Sequence, residues 1–448
     1  MFTKRHPSGG PERFFTVAGL VLGLLVLTLP AVPQTLFSRR IDRLKLGIAK
    51  EGGGELNRFW EELNKTGAPI VELLDNDPGS DLVTFIWRGS PGTKNVLVDW
   101  GTFQRPFDFK SPKENLMFHL GNTDLWYRTF KFPNAARLLY RLSPNDRLKS
   151  NAPGSSTSTP SQLDPMNPKR RLGWSLVELP GAPTQPYTVR RPGIPEGQVE
   201  HRRFASQILG NERDLEIYIP PNGGRSDYAL LIEFDMEEYR KGAIVPVPTI
   251  LDNLIAEKQI PPTVSVTVGN VNRFQELGCS AKFSDFLHQE LVPWMRKEYR
   301  ATTDSQLTTL AGSSFGGLAA ACAAIRHPET FGNVLSQSGS FNWEPNPGDL
   351  AAQDRRPKTD EFHSLNWVAG EIARRPRLAV RFYLNAGLFE TMTDKKGNTQ
   401  ISVNRQLRDV LRSKGYEVLH EEFAGGHSPV NWRGTFADGL IFLMHGRQ

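Results

Sequence analysis

The chain has 448 residues, of which 38% are hydrophobic and 23% charged, with a formal net charge of +6. That length allows two or three domains with a substantial core, and the composition is that of an ordinary soluble protein. The mild basic excess contains no Lys/Arg run interleaved with aromatics, so nothing suggests nucleic-acid binding. Two cysteines, Cys279 and Cys322, are too few for a disulfide scaffold and show no metal-ligand spacing.

In chain order, residues 1–45 read as a targeting segment outside the fold. Lys4, Arg5 and Arg13 precede the apolar run Phe14 to Val32. A positive start followed by such a run fits a cleaved export signal, and its length fits an uncleaved membrane anchor equally well. Export to the periplasm or beyond is expected either way.

Residues 46–148 read as an all-β module. Asp81–Arg88, Asn95–Trp100, Thr123–Phe130 and Leu138–Leu142 are aromatic or β-branched runs separated by Gly and Pro turns, which predicts an Ig-like sandwich. Trp87, Trp100, Trp126 and Tyr127 are then either sandwich core or a ligand platform, and core is the commoner outcome. Residues 149–198, rich in Ser, Thr and Pro, are expected to be an extended linker.

From 199 to 448 the pattern becomes α/β. Strands are predicted at Arg213–Ile219, Tyr228–Phe234, Val264–Val268, Leu307–Leu310, Asn333–Gln337, Val380–Asn385 and Glu417–Phe423, with helical stretches among them. The first two strands are expected to form a hairpin. The rest predict a mostly parallel sheet, with any catalytic groups on loops at the carboxyl ends of strands.

The chemistry centres on Gly312-Ser313-Ser314-Phe315-Gly316, a G-x-S-x-G pattern between a short apolar run and an Ala-rich helical run. Strand, tight turn and helix are the setting of a nucleophile elbow in an α/β-hydrolase. A serine hydroxyl is a weak nucleophile at neutral pH and needs a base. Of nine histidines, His427 alone sits in a Gly-rich loop at the end of a predicted strand. The acid should follow the penultimate strand, where Glu390 is the first candidate and Asp394 its competitor. The oxyanion would be held by the backbone N–H of Phe315 and by one near Met236, after the Tyr228–Phe234 strand. This chemistry calls for no cofactor and no metal.

Several of these stretches together resemble the enterochelin (ferric enterobactin) esterase family. They are Gly312 to Leu318, Phe331 to Ser340, Arg273 to Cys279, Gly425-Gly426-His427 with Trp432-Arg433-Gly434, and Leu163 to Pro168 in the linker. The front module is similar to that family's N-terminal domain, so the resemblance spans about residues 70–448. It implies hydrolysis of the trilactone esters of a catecholate siderophore, often as its iron complex. It also implies Ser314, His427 and Glu390 as the triad, with Arg273 and Arg433 pairing with catecholate oxygens and Trp432 stacking on a catechol ring. The plainer alternatives are an ion pair of Arg273 with Glu276 and a helix-start anchor at Trp432. The chain departs from the family pattern at Asn385, where a Glu is frequent, and at Met236, where a Gly follows the aspartate. A competing function is a carboxylesterase acting on acylated or feruloylated polysaccharide, with the front sandwich binding sugar. Two buried free thiols are expected, with a Cys279–Cys322 bridge as the alternative.

Overall fold

The computed structural model describes residues 37–101, 106, 112–148, 161–221, 227–235, 242–345 and 365–446. Two helices open it, α1 (Arg39–Glu51) and α2 (Gly53–Thr66). Ser38 caps α1 by accepting from the Ile41 N–H, which satisfies one of the free N–H groups of the first turn. Ile41 and Leu44 of α1 and Phe59, Trp60 and Leu63 of α2 pack with Ile86 and Leu125 of the sandwich. The fold therefore begins before residue 45, and the front module is not all-β. The basic residues of 39–45 form the outer face of an amphipathic helix, which a charge count alone reads as a flank of the export segment.

The sandwich follows in two sheets. Its strands are β1 (Ile70–Leu73), β2 (Ser80–Arg88), β3 (Val96–Asp99), β4 (Phe118–His119), β5 (Leu125–Pro133), β6 (Arg137–Pro144), β7 (Arg170–Arg171) and β8 (Trp174–Glu178). One sheet runs β1-β2-β5-β4 and the other β3-β6-β8-β7. Hence the sandwich prediction holds, but the linker reading fails at Arg170–Glu178, which supplies two strands. Pro and Ser density on either side hid a short strand whose Ser175 and Val177 point inward. Trp100 and Trp126 are buried among Phe85, Phe130, Phe132 and Tyr140, so they are core and not a platform.

The second sheet has eight strands: β9 (Gln198–Ser206), β10 (Asn211–Ile219), β11 (Ala229–Phe234), β12 (Thr263–Val268), β13 (Thr308–Ser313), β14 (Asn333–Gln337), β15 (Arg381–Gly387) and β16 (Val418–Phe423). Their order is β16-β15-β14-β13-β11-β12-β10-β9. From β12 to β16 all pairings are parallel, while β10 runs antiparallel to both β12 and β9. The expected hairpin is thus β9–β10, not Arg213–Ile219 with Tyr228–Phe234. Strand β9 carries His201, Arg202 and Arg203 on an exposed edge, where charge suits the unpaired side of a sheet and erases apolar alternation. Helices cover both faces over two apolar layers, one holding Leu230, Ile232 and Leu310 and the other Leu231, Ala311 and Leu335. The chain leaves β11 for β12 on one side and returns to β13 on the other. Strand order reverses there, and a crevice opens at the carboxyl ends of β11 and β13. No helix among the described residues is long and apolar enough to cross a membrane, and Phe14 to Val32 lie outside them.

Candidate active site

Ser314 lies at that crevice, between β13 and the helix Phe315–Arg326. Its backbone has φ 54° and ψ −118°, a region that non-glycine residues avoid. Hydrogen bonds on both sides hold it there. Ser314 N–H donates to Gln337 C=O at 2.9 Å, and Ser340 N–H donates to Ser314 C=O at 2.9 Å. Gly312 has to be glycine, because a Cβ there would lie 2.6 Å from the backbone carbon of Gly316. The result is a nucleophile-elbow geometry. Ser314 Oγ lies 3.2 Å from Ser340 Oγ. Phe315 N–H opens the helix, where backbone N–H groups have no intrahelical acceptor and the dipole favours negative charge.

Two strands away, β15 ends at Gly387 and the chain turns through Glu390. This carboxylate is buried, with 4% exposure. Its Oε1 accepts from Gly387 N–H at 2.7 Å and from Ser338 Oγ at 2.6 Å. Its Oε2 faces His427 Nδ1 at 2.8 Å. A carboxylate on Nδ1 keeps the proton there and leaves the Nε2 lone pair for the proton-transfer side of the ring. His427 occupies the loop between β16 and the helix Pro429–Met444, which Ser428 caps. Asp394 plays no part in this pairing. Its Oδ1 accepts from Lys396 N–H at 2.7 Å and Asn398 N–H at 2.9 Å, which closes its own turn. Glu390, not Asp394, is therefore the carboxylate paired with His427.

The implied substrate residues are placed unevenly. Arg273 makes a bidentate pair with Asp235, Nε to Oδ1 at 2.6 Å and an Nη to Oδ2 at 2.8 Å, and not with Glu276. Glu276 instead takes Arg213 in a buried pair at 3.1 and 3.2 Å. Asp235 ends β11 at the switch point, and its Oδ2 lies 3.1 Å from where a Gly316 Cβ would stand, so Arg273 is held at the elbow. Trp432 is only 2% exposed and offers no face for stacking. Its Nε1 donates to Ser338 Oγ at 3.0 Å, and its ring meets the His427 ring edge-on at 4.9 Å between centroids. The helix-start anchor is the reading that holds. Arg433 turns to the junction with the front domain and donates to Thr188 Oγ1 at 2.6 Å. Burial, then repulsion from Arg171 and Arg137, lowers its pKa. Met236 lies outside the described residues. Asn385 is buried in the sheet end and donates to Thr435 Oγ1 at 2.8 Å.

The sequence reading did not single out Ser338, Ser340 or the front domain's share of the site. Ser338 sits at φ 48° in a run of small residues and carries no periodic signal. The front domain reaches the loops of the pair directly. Arg137 N–H donates to Ala424 C=O at 3.0 Å, Asn431 Nδ2 donates back to Arg137 C=O at 3.2 Å, and Phe389 meets Phe132 at 6.2 Å between rings. The cysteines are not free: Cys279 and Cys322 are bridged, which ties the segment after Arg273–Leu277 to the helix following Ser314.

A switch-point serine, a His–Glu pair and a parallel sheet define the class, an α/β-hydrolase of the esterase type. Residues 206–443, more than half of the chain, match the family described as "Putative esterase", and residues 82–188 match that described as "Enterochelin esterase, N-terminal". The chain belongs to the enterochelin esterase family and is a carboxylic-ester hydrolase. It is 27% identical to the iron(III) salmochelin esterase of Escherichia coli O6:H1, covering 90% of this chain and 97% of that one. It is 28% identical to the iron(III) enterobactin esterase of the same organism, covering 81% and 90%. The crystal structure of the Shigella flexneri enterobactin esterase in the presence of enterobactin superposes with a TM-score of 0.64, at 26% identity over 86% of this chain and 97% of that one.

Proposed function

We propose that the protein hydrolyses the trilactone esters of a catecholate siderophore such as ferric enterobactin, through an acyl-enzyme on Ser314. The observation that carries this reading is the 2.8 Å pairing of His427 with a buried, doubly anchored Glu390, in a chain whose halves match both domains of the enterochelin esterases. Ser314 Oγ attacks the ester carbonyl while His427 Nε2 takes its proton. Phe315 N–H stabilises the oxyanion. The ester C–O bond then breaks, and His427 returns the proton to the leaving alkoxide. Water attacks the acyl-enzyme, giving a proton to His427 and its oxygen to the released acid; the acyl bond to Ser314 Oγ then breaks, and His427 returns that proton to Ser314 Oγ. Glu390 holds the ring and stabilises the imidazolium.

The polysaccharide-ester reading loses its support in the front domain, since Trp100 and Trp126 are buried there. Export is part of the proposal. A disulfide between Cys279 and Cys322 suits an oxidising compartment, and the positive, apolar start of the chain suits translocation. Enterobactin, with and without iron, incubated with the purified protein should yield dihydroxybenzoyl-serine units by mass spectrometry, and Ser314→Ala should abolish the release. Cleavage of feruloyl sugars with no attack on the trilactone would refute the substrate assignment. Unchanged hydrolysis by Ser314→Ala would refute the mechanism.

A further inference from the structure

Beside the elbow lies a cavity of about 1120 Å³ that the His–Glu chemistry leaves unused. Four aromatic rings stand on its wall: Phe274, Phe315, Trp343 and Trp367. None is fully buried, and Phe274 is 68% exposed, an unusual state for a large apolar side chain. They are mutually arranged. Phe274 meets Phe315 edge-on at 5.2 Å, and Trp343 meets Trp367 edge-on at 6.5 Å.

The cavity is connected to the reacting atoms at two points. Phe315 carries the oxyanion N–H. Trp343 N–H donates to Ser340 C=O at 3.0 Å, and Ser340 Oγ lies 3.2 Å from Ser314 Oγ. The wall is also pinned: Cys279 and Cys322 both line it and are bridged to each other.

Charge on the lining is one-sided. Its two acids are neutralised, Glu276 by Arg213 and Glu371 by Arg374 and Arg375. Lys282 and Arg326, exposed on the same lining, have no ion-pair partner among the described residues. An aromatic wall beside uncompensated cations fits a flat ring bearing anionic oxygens. The volume slightly exceeds the usual range for small-molecule sites, roughly 300–1,000 Å³, and far exceeds what a simple acetyl ester needs.

We propose that this cavity is the subsite for an aryl arm of the substrate, with the ring against Trp343, Trp367 and Phe274 and its oxygens toward Lys282 and Arg326. The proposal rests on the siderophore reading above and locates recognition of the acyl portion away from the Arg433 junction.

Steady-state kinetics on the full chain test it, comparing enterobactin with p-nitrophenyl acetate, which has no aryl acyl arm. Trp343→Leu and Trp367→Leu should each raise KM for enterobactin about 10-fold, as the loss of one aromatic contact allows. Turnover of p-nitrophenyl acetate by Trp367→Leu, which makes no contact with the elbow, should stay within twofold of the parent. Lys282→Gln with Arg326→Gln should raise the same KM and flatten its dependence on salt. Quenching of tryptophan fluorescence by dihydroxybenzoyl-serine gives a second readout, expected in the parent and weakened in Trp343→Leu. Folded variants with unchanged KM and unchanged quenching overturn the subsite. A parent that is quenched by dihydroxybenzoyl-serine but leaves the trilactone intact overturns the substrate reading and keeps the subsite.

Discussion

Replacing Ser338 by alanine removes one hydroxyl from a closed ring of contacts. In the parent, Ser338 Oγ donates to Glu390 Oε1 at 2.6 Å and accepts from Trp432 Nε1 at 3.0 Å, while Trp432 backs the His427 ring at 4.9 Å. Ser338 is fully buried, and Glu390 and Trp432 nearly so, so water cannot replace what is lost. A hydrogen bond to a charged acceptor is worth about 1.5–3 kcal/mol, and an orphaned buried N–H costs about 1–3 kcal/mol more. Glu390 keeps the Gly387 N–H at 2.7 Å, so the carboxylate is loosened, not released. A loosened orienting group raises the barrier by about 1.4–2.7 kcal/mol, or roughly 10- to 100-fold in kcat. Trp432→Phe, which keeps the Ser338–Glu390 bond, should show a smaller loss. The assay is steady-state ester hydrolysis, with thermal unfolding as the check on folding. A folded Ser338→Ala protein with kcat within twofold of the parent would refute the idea that Ser338 sets the acid.

Three further outcomes follow from the same contacts. Glu390→Gln should lower kcat by on the order of 10³-fold by favouring the wrong tautomer of His427, while Asp394→Asn leaves kcat unchanged; equal effects in the two rate measurements would undo the assignment of the acid. The Cys279–Cys322 bridge closes a separation of 43 residues, so the double serine variant should lose about 4 kcal/mol of stability in denaturant titration, with the same drop in the parent under reductant. Burial pushes the His420 pKa down to about 4, so the unfolded chain takes up that proton first as pH falls below about 6.5 and the folded state loses stability. The contribution at pH 4.5 is about 2.5 kcal/mol, and His420→Gln should flatten that part of the stability curve in urea titrations at pH 7 and 4.5.

What was legible in the chain follows from how local each signal is. Ser314 and His427 stand out because a strand, a glycine-rich turn and a helix are written in consecutive residues. Glu390 needed only its place after the penultimate strand. Trp432 and Arg273 could not be read the same way. Trp432 follows the Ser428 cap, where a tryptophan looks available, yet the helix turns it inward onto Ser338. Arg273 has Glu276 at helical spacing, but Asp235 at the end of β11 is nearer in space. Edge strand β9 and helix α1 were missed because their charges serve exposed faces and mask the period. Strand β8 was missed because the prolines around it dominate a composition window.

The front domain's place in the chemistry is a matter of three-dimensional contact, and it changes how the two domains should be regarded. The sandwich core does not stop at the sandwich. Ala424, Leu388 and Phe389, from the loops that carry His427 and Glu390, belong to the same apolar cluster as Phe132, Leu138 and Val177. Arg137 is bonded on both sides of its peptide to the His427 loop and the helix after it, and its guanidinium is held by Glu178 and Pro183. Gln185 Nε2 adds a bond to Val430 C=O at 2.8 Å, in the first turn of that helix. The proposed mechanism requires the loop of His427 to be held to a fraction of an ångström, and apolar burial with fixed backbone bonds is how proteins do so. In a free-standing hydrolase domain these loops would expose Leu388, Phe389 and the unpaired backbone of Ala424. The sandwich therefore packs as part of the scaffold of the His427 and Glu390 loops. Its aromatics are spent on that packing, which is why a row of tryptophans in the sequence became core and not a binding surface.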